Sequence, residues 1–180
     1  NLQTVFFPIP LYDVIELIEA PNTNITIVGQ DIPGLPENNI ILKAWHLLKK
    51  DFNDLPAVHF YLLKNIPVGA GLGAGSANGA YALKALNDQF SLNLSDAQLI
   101  RYALELGSDC PFFILNKPVF ASGRGELFED IAVDLSGYQI VVVNPGIHIS
   151  TPWAFSRLSP EKPAFDLKEH AQRPVSDWKD

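Results

Sequence analysis

Between residues 65 and 87 the chain reads NIPVGAGLGAGSANGAYALKALN, with glycines at alternate positions 69, 71, 73 and 75. Glycine permits φ > 0 and lets backbone come close to a ligand, so four of them at one place mark a segment whose backbone conformation matters. Upstream, AVHFYLLK (57–64) half-alternates as a strand and runs into Pro67. Downstream, Ala80, Leu83, Leu86 and Phe90 recur every three or four residues, which predicts a helix starting within a residue or two of the last loop glycine. Any fold of this chain must therefore place a strand, a glycine loop and a helix in direct succession.

A run of exposed N–H groups that leads into the positive end of a helix makes an anion site, and phosphate is its natural occupant. Three patterns compete for the stretch. The P-loop needs G-x-x-x-x-G-K-[ST], and no lysine follows these glycines. A dinucleotide fingerprint fits in letters as Gly69-x-Gly71-x-x-Ala74, but a second parallel strand ending in an acidic residue should follow, and a second capped helix follows instead. A tight connection with no ligand accounts for one or two glycines, and poorly for four at alternate positions.

The remaining pattern is mixed. Residues 2–19 are rich in Val, Ile, Phe and Leu and are interrupted by Pro8 and Pro10, which predicts strands with an irregular middle, and NITIVG (24–29) reads as a short partner strand. Ile40, Ile41, Ala44, Trp45 and Leu48 predict a helix, with Asn38 or Asn39 as N-cap and lysines in the final turn. Ser95 with Gln98 forms a capping-box pattern for a helix that carries Leu99, Tyr102, Ala103 and Leu106 and stops at Gly107. CPFFIL, PVFASGRGELFEDI and YQIVVVNPGIHIS read as strands, and residues 157–180 as a polar, linker-like tail.

Charge and cysteine content exclude several classes. Twenty acidic against thirteen basic residues give a net charge of -7 without a basic run, so nucleic acid is not the expected partner. No apolar run approaches the roughly 18 residues that cross a bilayer, so no membrane partner is expected either. The single Cys110 allows no internal disulfide and no cysteine-clustered metal site, which suits a reducing compartment, with cytoplasm as the default. His46, His59, His148 and His170 lack metal-ligand spacing. The absence of methionine predicts that sequence precedes Asn1.

PVGAGLGAGSANGA together with LGSDCPFF resembles the GHMP small-molecule kinases, the family of galactokinase, homoserine kinase and mevalonate kinase. Within it the resemblance is nearest to the branch that phosphorylates 4-diphosphocytidyl-2-C-methyl-D-erythritol, whose loop runs P-x-G-[AG]-G-L-G-G-G-S-S-[DN]-A. TVFFPIPLYD, IPGLPENNII, GRGE and PGIHISTPWAF follow in the right order, so the likeness runs from about residue 2 to 157. It implies an α+β fold of the ribosomal-protein-like kind, a mixed sheet with packed helices in two layers. It also implies an ATP-binding domain over 1–157 without its first strand, and a linker over 158–180 toward a C-terminal domain.

The family's chemistry is transfer of phosphate from Mg-ATP, here to the 2-hydroxyl of a small molecule carrying a cytidine diphosphate group, in non-mevalonate isoprenoid synthesis. By resemblance the ATP phosphates would lie on Pro67, Val68, Gly69, Ala70, Gly71, Leu72, Gly73, Ala74, Gly75, Ser76 and Ala77. Lys64, Asn39 and Asn78 would lie near the nucleotide, against the alternatives of a solvated strand-end lysine and of helix capping. Asp109 matches the catalytic aspartate, which takes the hydroxyl proton and aims the attacking oxygen; without its LGSDCPFF context it would read as a turn residue. Thr151 and Phe155 match positions that hold the cytidine end, with core packing as the alternative for the aromatic. Cys110 reads as a small buried side chain, and the Arg124 segment as a hairpin turn.

The chain departs from the family in places. Ala74 replaces a glycine, which is tolerable if φ there is negative, and Ala77 replaces a second serine. The lysine-bearing P-A-K-I-N-L strand, the D-G-Y-H segment and the later N-D-F-E segment are not found. Two other readings therefore stay open, a nucleotide-binding piece without turnover and a related kinase acting on another alcohol.

Overall fold

A computed structural model of the protein describes residues 2–147, 149–159, 161 and 164–179. Along the chain run β1 (Leu2–Phe6), β2 (Val14–Glu19), β3 (Asn24–Gly29), α1 (Ile40–Asp51), β4 (Val58–Lys64), α2 (Ala74–Gln89) and α3 (Asp96–Leu106). They are followed by α4 (Cys110–Leu115), β5 (Val119–Gly123), β6 (Leu127–Asp130), α5 (Thr151–Ser156) and α6 (Leu167–Ala171). Short 3-10 turns lie at Pro36–Asn38 and Val175–Lys179. The chain divides into two compact units, residues 10–116 and residues 1–9 with 117–180.

In the first unit β4 is the middle of a three-stranded mixed sheet, antiparallel to β2 and parallel to β3. NITIVG thus joins the sheet through β4 rather than through β2. Parallel neighbours need a crossover long enough to carry the chain back, and α1 supplies it between β3 and β4. Val58, Phe60, Leu62 and Lys64 of β4 alternate onto the buried face, whereas Tyr61 and Leu63 are exposed. Against that face lie α1 residues Ile41, Ala44, Trp45 and Leu48, on one stripe at helical spacing, and Ala80, Leu83 and Leu86 of α2. Asn39 is the N-cap of α1 and accepts from the Ile41 N–H at 2.9 Å. The close approach of α1 to α2 depends on Gly79, where a Cβ would sit 2.8 Å from the Ile40 side chain. The capping box opens α3 as expected, with Gln98 Oε1 accepting from the Ser95 N–H at 3.0 Å.

In the second unit β1, β5 and β6 form an antiparallel three-stranded sheet in that order. Phe120, Ile131 and Ala171 form its small core, with Val5, Val133 and Leu167 packed on it. GRG is the tip of the β5–β6 hairpin; Gly123 and Gly125 have φ of 73° and 108°, and Arg124 is exposed.

Three segments differ from the sequence pattern. CPFFIL forms α4 rather than a strand. Pro111 is in its first turn, where it loses no hydrogen bond, and Asn116 ends it at φ 47° in the left-handed region. YQIVVV (138–143) makes no ladder among the described residues, and Val141 and Val143 are each 81% exposed. A β-rich composition becomes a strand only where another strand offers its free backbone groups. The tail contains α6 as well as turns; Asp166 caps it by accepting from the Glu169 N–H, and Lys168 pairs with Glu129 at 2.7 Å.

Candidate functional site

The glycine loop leaves β4 after Lys64 and enters α2 at Ala74. Gly69, Gly71 and Gly73 have φ of 73°, 73° and 67°, whereas Ala70 and Leu72 between them do not share the left-handed region. Alternation of left-handed glycines with other residues is the backbone pattern from which anion-binding nests are built. The helix begins within a residue of the last loop glycine, as the spacing predicts, with Gly73 as its N-cap and Gly75 in its first turn. Ala74 has no positive φ and is buried, so its side chain costs the loop nothing.

The loop walls a cavity of about 440 Å³, a size typical of small-molecule sites. Pro67 through Ser76 line it, together with Lys64, Asn39 and Asn78, and residues 32–36 add a largely apolar stretch to the lining. Of the nucleotide-site residues read from the sequence, only Ala77 is not on this lining; its N–H instead donates to the Gly73 carbonyl at 2.8 Å, as an early bond of α2. Asn39 both caps α1 and faces the cavity. Asn78 is inside α2 and buried, so capping does not explain it.

Lys64 is not a solvated strand end. Its side chain is 2% exposed, and Nζ donates to Asp13 Oδ2 at 2.6 Å and to the Ile66 carbonyl at 2.5 Å. Asp13 Oδ1 accepts from the N–H groups of Asn65 and Ile66 at 2.8 and 2.9 Å. Burial pushes the Asp13 carboxyl up, but the Ile66 N–H, the Lys64 ammonium and the Asn65 N–H together hold it below its ordinary value of 3.8. A folded-state value below the unfolded one means that the ionised group's stabilisation is complete above about pH 4 and is lost as pH falls through the depressed folded value. Equilibrium unfolding from pH 6 down to 2 is therefore expected to show an acid-side loss of stability that is shallower in Asp13→Asn. Sequence reading missed Asp13; its one signal is an acidic residue just ahead of the apolar run VIELI.

A second set of contacts ties α4 to the loop. The Ser76 hydroxyl is near enough to the Cys110 thiol to ease its ionisation. A Cβ on Gly73 would lie 2.8 Å from the Phe113 ring. Asp109 is the residue before Cys110; it is exposed, and its side chain makes no cap bond to α4, so the turn-residue alternative is not what the carboxylate does. Burial, with a smaller contribution from the Asp109 charge, pushes the Cys110 thiol up to about 11 against the pull of Ser76. Native protein at pH 8 is expected to leave Cys110 unmodified by iodoacetamide over hours, with one equivalent reacting after denaturation; rapid native labelling would contradict its burial.

The residues expected at the cytidine end belong to the other unit. Phe155 on α5 is 59% exposed, so core packing does not hold it. The Thr151 side chain and His148 lie outside the described residues. Of the other histidines, His59 bonds Thr26 and stacks on Tyr61, His46 is edge-on to Trp45, and His170 packs against Phe165. Among the described residues no group of three His, Cys, Asp or Glu is placed to hold a metal, and no helix is long and apolar enough to cross a membrane.

Residues 39–117 match the family model for the GHMP kinases N terminal domain. The chain is 49% identical to a 4-diphosphocytidyl-2-C-methyl-D-erythritol kinase of Bacteroides fragilis over 99% of its own length and 66% of that protein's. It is 45% identical to the enzyme of that name from Bacteroides thetaiotaomicron, over 100% and 67% of the two lengths. A crystal structure of 4-(cytidine 5'-diphospho)-2C-methyl-D-erythritol kinase superimposes with a TM-score of 0.73 at 26% identity, over 94% of this chain and 60% of that one. Homoserine kinase from Cytophaga hutchinsonii, at 16% identity and a TM-score of 0.59, shares the fold. The chain thus spans about two thirds of the length of the curated relatives it matches. A strand, an alternating glycine nest and a helix start around one cavity, in a sequence this close to those relatives, place the chain in the GHMP kinase family, among the 4-diphosphocytidyl-2-C-methyl-D-erythritol kinases.

Proposed function

We propose that the protein carrying this chain transfers the γ-phosphate of Mg-ATP to the 2-hydroxyl of 4-diphosphocytidyl-2-C-methyl-D-erythritol, a step of non-mevalonate isoprenoid synthesis. The observation that carries the proposal is the nest of alternating positive-φ glycines facing a cavity of about 440 Å³. The triphosphate would lie along residues 67–76 and accept from their N–H groups, with magnesium arriving on the nucleotide and neutralising phosphate charge. The apolar wall at residues 32–36 would take the base, and the exposed ring of Phe155 would stack on the cytidine end of the acceptor.

Asp109 would take the proton of the attacking hydroxyl as the new O–P bond forms and the bond to ADP breaks. Its carboxylate is open to solvent and uncommitted to α4, and the thiol of the next residue feels the Ser76 hydroxyl of the loop. A cytoplasmic setting goes with this reading, supported by the one buried, unpaired cysteine.

Two assays test the proposal. Calorimetric titration with a non-hydrolysable ATP analogue and Mg²⁺ is expected to show one site per chain. ATP with the cytidyl substrate is expected to yield ADP and a phosphorylated product; no binding of the analogue would remove the basis of the reading.

Gly75 sharpens the test. It lines the cavity, its φ is not positive, and a Cβ there meets nothing within 4 Å. Gly75→Ala should leave the fold unchanged or stabilise it by about 0.5–1 kcal/mol, as alanine does in helices. The same methyl group would stand where the phosphates lie, so analogue affinity is expected to fall at least about tenfold, or roughly 1.4 kcal/mol. Stability and binding would thus move in opposite directions, which a general loss of structure does not produce.

A further inference from the structure

Asp13 stands directly ahead of β2 and is not on the cavity lining, yet its side chain is only 3% exposed. The hydrogen bonds that its carboxylate accepts all come from the exit of β4. The last residues of β4 in register are Leu63 opposite Val14 and Lys64 opposite Gly29. Beyond them the ladders give no partner to the N–H groups of Asn65 and Ile66. The carboxylate supplies it, accepting from Asn65 and Ile66 through one oxygen and from the Lys64 ammonium through the other. Lys64 returns to the Ile66 carbonyl, and Asn65 Nδ2 donates to the Tyr12 carbonyl at 3.0 Å. Both peptide groups ahead of Pro67 are therefore fixed by the segment that precedes β2.

We infer that Asp13 is a positioning residue of the phosphate loop: without touching a ligand, it sets the direction in which residues 67–73 leave β4 and holds Lys64 in the cavity wall. The inference rests on the nucleotide reading proposed above for what the loop does, and on geometry alone for how the loop is held. A nest of N–H groups binds an anion well only if its orientation is settled before the anion arrives. The anchor must lie behind the loop, because the front is the ligand's.

The experiment compares wild type with Asp13→Asn, which keeps the shape and removes the charge, and Asp13→Glu, which keeps the charge and lengthens the reach. Val58→Ala, at the far end of β4, serves as a control that lowers stability without touching the loop. Amide hydrogen exchange of residues 68–73 is measured on ligand-free protein well below the melting point of each variant. Affinity for the ATP analogue with Mg²⁺ is measured by calorimetry.

Both Asp13 variants are expected to speed exchange at 68–73 at least tenfold and to weaken the analogue at least tenfold. Val58→Ala should change neither by more than twofold. Should Asp13→Asn not fold, Asp13→Glu carries the comparison. Wild-type exchange in the folded Asp13 variants, retained affinity in them, or an equal effect from Val58→Ala would overturn the inference. If wild type does not bind the analogue, the nucleotide reading fails separately; faster exchange confined to the loop then upholds the anchoring by Asp13, and unchanged exchange overturns it.

Discussion

Gly29→Ala is expected to destabilise the protein by about 3 kcal/mol or more. Gly29 closes β3 at φ +97°, and a Cβ there would stand 2.3 Å from the Lys64 carbonyl oxygen and 3.1 Å from its carbon. A flexible side chain could swing away from such a contact; a carbonyl held at 2.9 Å by the Gln30 N–H cannot. The strain of the left-handed region costs about 1–3 kcal/mol and the overlap a similar amount. For a chain of this length each kcal/mol lowers the melting temperature by about 2–4 °C, so a drop of roughly 6–12 °C is expected. Gly34→Ala separates the two causes, because Gly34 has φ +105° and nothing within 4 Å of its Cβ. It should show the strain alone, about 1–2 kcal/mol in urea unfolding. Equal losses at the two sites would mean that the β3–β4 end yields to the methyl group and that Lys64 is not rigidly held.

Asp109→Asn is expected to reduce phosphoryl transfer by about 10²- to 10⁴-fold, or roughly 3–5 kcal/mol of barrier, while affinity for the ATP analogue stays within twofold. Asparagine matches the shape of the residue and removes the proton acceptor. Since Asp109 is exposed and does not cap α4, the substitution leaves the fold alone. Single-turnover measurements with saturating nucleotide isolate the chemical step. Turnover within threefold of wild type would assign the proton to another group, and a parallel loss of nucleotide affinity would mark Asp109 as part of the nucleotide site instead.

The loop and its helix were legible because a local pattern specifies them. Alternate glycines have a conformational meaning that tertiary context does little to alter, and Leu83 and Leu86 repeat at helical period into the buried cluster. The helix start fell within a residue of the last loop glycine, as expected, although Gly75 looks like a loop residue while lying in the first turn, where lack of a side chain serves the cavity rather than the backbone. Lys64 was half legible. Counting by twos from Val58 puts it on the buried face with Phe60 and Leu62, but a lysine at a strand end reads as solvated until its partner is known, and Asp13 is fifty-one residues away. CPFFIL shows the opposite failure, in which an apolar run too short for its period to be read takes its state from packing, here of Cys110 and Ile114 in the core and of Phe113 against Gly73.

The exposed YQIVVV segment bears on how the protein behaves in a tube. It is a six-residue window of β-prone side chains without charge or proline, and free backbone edges of that kind template association between molecules. The net charge of -7 opposes such association at low ionic strength, and salt screens that repulsion over about 10 Å at 0.1 M. Association through this segment is therefore expected to rise with chain concentration and with salt.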